Sequence, residues 1–198
     1  MARPDRITKL ASSIKQREKD SDHILSQLNR FRELLYQAIA DVLSSLVYKG
    51  VEQVDQPRRE ERGGQELLYF SWIGHHFVCV PCDGLALPPP EQAELLGERA
   101  DSPAARLAMF GYPPGEPEQS ILVSDHYIFA DGSWCACGLE LTTHSGMRAK
   151  EIARYSLRLL GKLDRKLDLV WSPRHQIRSD GADGSCPRLI RHPILHDG

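Results

Sequence analysis

From Ile7 to Leu46 the chain holds no Gly or Pro, and its apolar residues recur every three to four positions. Ile7, Ile14, Leu28, Leu35 and Val42 occupy the a positions of a heptad, and Leu10, Ile24, Phe31 and Ala38 the d positions. Arg17, Ser21 and Ser45 interrupt the seam. Sustained a/d spacing predicts a long helix packed along a seam, as in a coiled coil. Leu25, Ile39 and Leu46 add e positions in the second half, widening the stripe to that of a helix lying on a globular core. Gly50 ends the pattern. Residues 1–50 therefore read as one amphipathic helix with two jobs. Residues 22–48 belong to a core, and residues 7–20, with only Ile7, Leu10 and Ile14 to bury, form a protruding association segment.

The period then changes. Residues 51–65 are polar, contain Pro57 and end in Gly63-Gly64, which reads as a linker. An α+β domain is expected over residues 66–171. Leu67–Ile73 and His76–Val80 are rich in aromatic and β-branched residues and predict two strands around Gly74-His75. Three prolines at 88–90 mark a rigid loop, and Gln92–Arg99 suits a short helix. Ala104–Phe110 fits either a helix or a strand. Asp131-Gly132 lies between Tyr127–Ala130 and Ser133–Ala136, the pattern of a hairpin closed by a two-residue type I′ turn, with Ile121–Val123 as a further strand. A second helix is predicted from Ser145 to about Leu167, with Ile152, Leu159, Leu160, Leu163 and Leu167 on its apolar face. Residues 172–198 lack periodicity and read as a flexible tail. Strands joined by tight turns imply an antiparallel sheet, with the N-terminal and C-terminal helices packed on one face.

Charge divides the chain in three. Residues 1–62 carry 12 basic and 10 acidic side chains; residues 63–144 carry only Arg99 and Arg106 against 11 carboxylates; residues 145–198 carry 11 basic against 6 acidic. The acidic middle argues against nucleic acid lying across the sheet, because phosphate contacts need cations. No apolar run approaches the ~18 residues of a membrane span. The basic start lacks the apolar stretch of a secretory signal. Five cysteines with no oxidising context imply reduced thiols and a cytoplasmic protein.

Two patterns carry candidate chemistry. Cys79 and Cys82 sit in a C-x-x-C turn, and Cys135 and Cys137 lie two apart on a strand, so their side chains share a face. Four thiolates would close a tetrahedral zinc site between the hairpins; buried core thiols are the plain alternative. Neither known C-x-x-C chemistry fits. A zinc deaminase needs a glutamate where His75-His76-Phe77 has none, and a thioredoxin-like site needs a helix where Asp83-Gly84 follows. Eight histidines supply Cys/His pairs such as Cys79 with His126 by chance, with no supporting motif. On the second helix Lys150, Arg154, Arg158, Lys162 and Lys166 recur every fourth residue, forming a basic ridge for an anion or partner, or a solvated face. Dinucleotide and P-loop motifs are missing from the sequence.

The reading is of an accessory or adaptor protein without enzymatic activity or resident cofactor. It assembles through its N-terminal helix, with itself or another protein, and presents the α+β domain to a protein partner, away from membranes. The alternative is a zinc-stabilised protein that contacts nucleic acid through the basic helix.

Overall fold

The computed structural model describes residues 3–88, 96–116, 120–139 and 141–170. Helix α1 spans Arg3–Tyr48. The strands are β1 (Arg58–Arg62), β2 (Gln65–Trp72), β3 (His75–Ala86), β4 (Ala104–Tyr112), β5 (Ile121–Ile128), β6 (Trp134–Gly138) and β7 (Thr142–His144), and helix α2 spans Ala149–Val170. Among the described residues the strands form one seven-stranded sheet in sequence order, every neighbouring pair antiparallel. Among the described residues the chain is thus an α+β meander flanked by two long helices. No helix among the described residues is long and apolar enough to cross a membrane.

Both helices cover one face of the sheet. Phe31, Leu35, Tyr36, Ile39 and Leu43 of α1 and Ile152, Tyr155, Leu159 and Leu163 of α2 join Leu68, Phe70, Phe77, Leu107, Met109 and Trp134 in one buried cluster. The buried stripe of α1 begins on the heptad at Ile24, Leu28, Phe31 and Leu35, then moves round to Tyr36, Ile39 and Leu43. A straight helix drifts by ~20° per heptad relative to a strict seven-residue repeat, so a fixed seam cannot stay on the sheet. Leu25 is consequently exposed, although its spacing suggested burial. The helix closes as the sequence implies. Gly50 takes a positive φ of 77°, its N–H reaches Val47 O and the Val51 N–H reaches Leu46 O, the paired bonds of a glycine-terminated helix.

Two sequence expectations change, and one open choice is decided. The expected linker contains strand β1, because RREER pairs with β2 through a turn in which Gly63 and Gly64 both have positive φ. An edge strand can be wholly polar, so it has no apolar alternation to betray it. Ala104–Phe110 is strand, not helix, buried on both sides at the centre of the sheet. The hairpin at Asp131-Gly132 is present, but only Gly132 has positive φ, and the bonds Gly132 N–H to Phe129 O and Phe129 N–H to Ser133 O enclose a three-residue loop. Asp131 earns its place by accepting hydrogen bonds from the Ser133 amide and hydroxyl. Burial works to raise its pKa, but these bonds and Arg99 hold it below the usual value. The expected tail, residues 172–198, and most of the expected helix Gln92–Arg99 lie outside the described residues, which there show a 3-10 turn at Gly97–Arg99.

Candidate functional site

The two halves of α1 differ in what they touch. From Ile24 onwards one side of the helix is buried, whereas residues 7–20 are exposed on every side. Ile7, Leu10 and Ile14 leave 68%, 61% and 48% of their surface in solvent. A rise of 1.5 Å per residue makes this unpacked arm about 20 Å long. Within it the polar side chains bond along the helix, Ser12 Oγ to Thr8 O at 2.9 Å and Gln16 Nε2 to Asp20 Oδ1 at 2.8 Å. The packed half is fastened to the sheet. Tyr36 donates from its hydroxyl to Cys79 O and Glu66 O, and Arg59 on β1 binds Glu33 at 2.9 Å. The helix therefore has a packed root and an exposed end.

The basic ridge on α2 is real for three of its members. Lys150, Arg154 and Arg158 are exposed, but Lys162 is half-buried and its ammonium reaches Leu139 O at 3.5 Å. Each four-residue step turns ~40° about the helix axis, so three steps carry the row ~120° round, towards the sheet. The side chain of Lys166 lies outside the described residues.

The structure does not bring the four cysteines of the expected zinc centre together. Cys79 points into the helix-facing core, while Cys135 and Cys137 lie in a separate cluster on the other side of the sheet. Cys82 is half-buried against that other side's first cluster, next to a register shift between Cys82 and Leu85 that accommodates Asp83-Gly84. The turn that suggested a zinc knuckle is thus a bulge in β3. Strands β4 and β5 separate β3 from β6, placing the two cysteine pairs about 14 Å apart at the backbone. Among the described residues no group of three or more His, Cys, Asp or Glu is placed to hold a metal ion. Burial pushes the Cys79 thiol pKa far up, which keeps it protonated. The hydrogen bond from Cys137 draws Cys135 the other way, below the ordinary thiol value.

Sequence patterns missed a charged group inside the sheet. Arg106 Nε lies 2.7 and 2.9 Å from the two oxygens of Asp125, which also accepts the Tyr127 hydroxyl at 2.9 Å. Asp125 is buried and Arg106 is partly so. Burial opposes the charge on Arg106, but the adjacent carboxylate raises its pKa overall; burial and the same carboxylate raise that of Tyr127. The available signal was Arg106, a lone cation in the apolar stretch AARLAMF at 104–110 and one of only two between residues 63 and 144. Asp125→Asn strands the guanidinium without its counter-charge and is expected to cost about 2 kcal/mol, under the 3–5 of a fully buried pair because Arg106 keeps some solvent. Urea unfolding measures it.

Comparison with known proteins gives no match to a family model, a curated protein or a solved structure.

Proposed function

We propose that this chain is an adaptor that assembles through residues 7–20 of α1 and carries the α+β domain to a protein partner. The observation that supports it is the exposed apolar stripe on a helix whose continuation is packed. A short helix with no tertiary support is marginal in water, and covering Ile7, Leu10 and Ile14 supplies what the arm lacks. The stripe is also self-complementary. Read in either direction about its midpoint, Ile7 exchanges with Ile14 and Leu10 with Ala11, so a two-fold antiparallel pair sets each Leu10 against the partner's small Ala11. Three apolar side chains per copy make a small interface, so the expected affinity is ~10–1,000 µM. Sedimentation over that range should show a mass rising towards two chains, and Leu10→Asp with Ile14→Asp should hold it at one. A wild-type mass that stays at one chain, or a dimer indifferent to the double substitution, would overturn pairing through the arm.

A second reading rests on Lys150, Arg154 and Arg158, exposed along α2. There the basic helix contacts nucleic-acid phosphates. Neutralising each residue should then lower the salt dependence of binding by about one unit of slope. Binding with no salt dependence would remove this reading.

A further inference from the structure

A separate feature lies at the other end of the sheet. Val54 bridges to Trp72, and Arg58 pairs with Tyr69. Three residues, Asp55 to Pro57, therefore pass opposite only two on β2, Phe70 and Ser71, and the edge opens. The gap is a half-open pocket of about 250 Å³, lined among others by Arg58, Tyr69, Ser71, His76, Tyr112 and Asp55. Tyr69 and Tyr112 of the cluster away from the helices line it, and so do Phe70 and Phe77 of the helix-facing cluster. The hairpin turn beside it is strained, since Ile73, a β-branched residue, has a φ of 49°.

The lining is rich in donors. The Ser71 hydroxyl lies 3.0 Å from His76 Nδ1, and when Ser71 donates there the neutral imidazole carries its own hydrogen on Nε2. The ring of His76 packs against Tyr112 at 5.6 Å. Tyr69 is buried, and its hydroxyl has no hydrogen-bond partner, although such an orphan costs about 1–3 kcal/mol. The guanidinium groups of Arg58 and Arg62 stand 5.4 and 5.8 Å from the centre of the Tyr69 ring. Arg58 is 70% exposed and meets Glu60 at 3.2 Å, an ion pair weakened by solvent; Arg62 also meets Glu60 at 3.6 Å, so Arg58 can leave it for an anion in the pocket. Burial raises the pKa of both Tyr69 and Tyr112, keeping both phenols as donors. The one carboxylate in the lining, Asp55, is exposed.

We propose that this pocket binds a small organic carboxylate with a flat apolar body. The carboxylate would take the Arg58 guanidinium and the orphaned Tyr69 hydroxyl, and the body would lie against the Tyr112 and His76 rings. Charge-assisted bonds from a guanidinium suit a planar carboxylate, and aromatic walls suit a flat ligand. Neither group belongs to the association arm, so this inference stands apart from the adaptor reading.

The test is a heteronuclear NMR titration of the full chain with sodium benzoate as probe, and acetate, inorganic phosphate and benzamidine alongside. Saturable shifts are expected at Tyr69, Ser71, His76 and Tyr112, with acetate binding more weakly than benzoate. Arg58→Ala, on the exposed edge strand, and Tyr69→Phe, which keeps the ring, should each weaken benzoate by about tenfold while the remaining spectrum shows the fold intact. Benzamidine binding as tightly as benzoate would overturn the charge assignment, and phosphate binding as tightly would overturn the organic body. Shifts that never saturate, or that Arg58→Ala and Tyr69→Phe leave unchanged, would overturn the site.

Discussion

Gly138→Ala is expected to destabilise the fold by about 3 kcal/mol or more, seen as a large fall in the urea midpoint with an unchanged slope. The last residue of β6 sits at a φ of 118°, a region that side chains rarely enter. A methyl group there would lie 2.4 Å from Val123 O and 3.1 Å from Ser124 Cα. Both are backbone atoms of a central strand, so no side chain can rotate away. They also stand at the bulge between β4 and β5, where the register shifts after Met109, and Val123 O already accepts the Leu139 N–H. Relief would mean breaking the ladder between β5 and β6. A loss below 1 kcal/mol would show that the two strands can part there at little cost.

The second large effect is on acid stability. His126 is fully buried on β5, and its Nδ1 lies 2.9 Å from Leu107 O. A carbonyl only accepts, so Nδ1 carries the hydrogen and Nε2 is the acceptor for the Tyr155 hydroxyl at 2.8 Å, which in turn meets Ser124 Oγ at 3.0 Å. The network ties α2 to the sheet only while the imidazole is neutral. Burial pushes the pKa of His126 below its ordinary 6.5, against smaller opposing effects of the Leu107 bond and Asp125. Below that pH the unfolded chain binds a proton that the folded chain refuses. Stability from this group is therefore whole above pH ~6.5 and lost as the pH falls towards the folded pKa, by at most ~1.4 kcal/mol per unit. His126→Leu should cost about 2–4 kcal/mol at pH 7.5 and abolish this share of the slope. Tyr155→Phe should keep the slope. Unfolding midpoints at several pH values separate the two, and a His126→Leu variant as acid-sensitive as the parent would reassign the effect to other groups.

How much of this was readable in advance follows from which forces write themselves into sequence. Periodic burial does, so the two helices, the hairpin strands and the division of α1 at about residue 20 could be drawn from spacing alone. Strand β1 could not, because RREER is held by backbone bonds to β2 and by the ion pairs of Arg59, neither of which imposes apolar alternation. The cysteines misled for a related reason. C-x-x-C and C-x-C describe distances along the chain, whereas ligand geometry depends on which face each residue takes and how many strands intervene. A bulge after Cys82 and two strands between the pairs undo the spacing. The pocket was hidden most thoroughly, since Arg58, Tyr69 and His76 come from three strands, and their meeting depends on register and on three residues passing two.

The order of the strands bears on how the chain is made. Each strand of the meander pairs with the one just before it, so the sheet can zip up as the chain lengthens, with few long loops to close. Its helix-facing side has a different history. Among the described helices α1 alone covers it until Ile152 to Leu163 have been synthesised, and the Ser124–His126 end then waits for Tyr155. During that interval a growing chain presents a half-covered apolar sheet. Translation that pauses before residue 163 should therefore leave a protease-sensitive, chaperone-binding intermediate, and continuing through α2 should remove it.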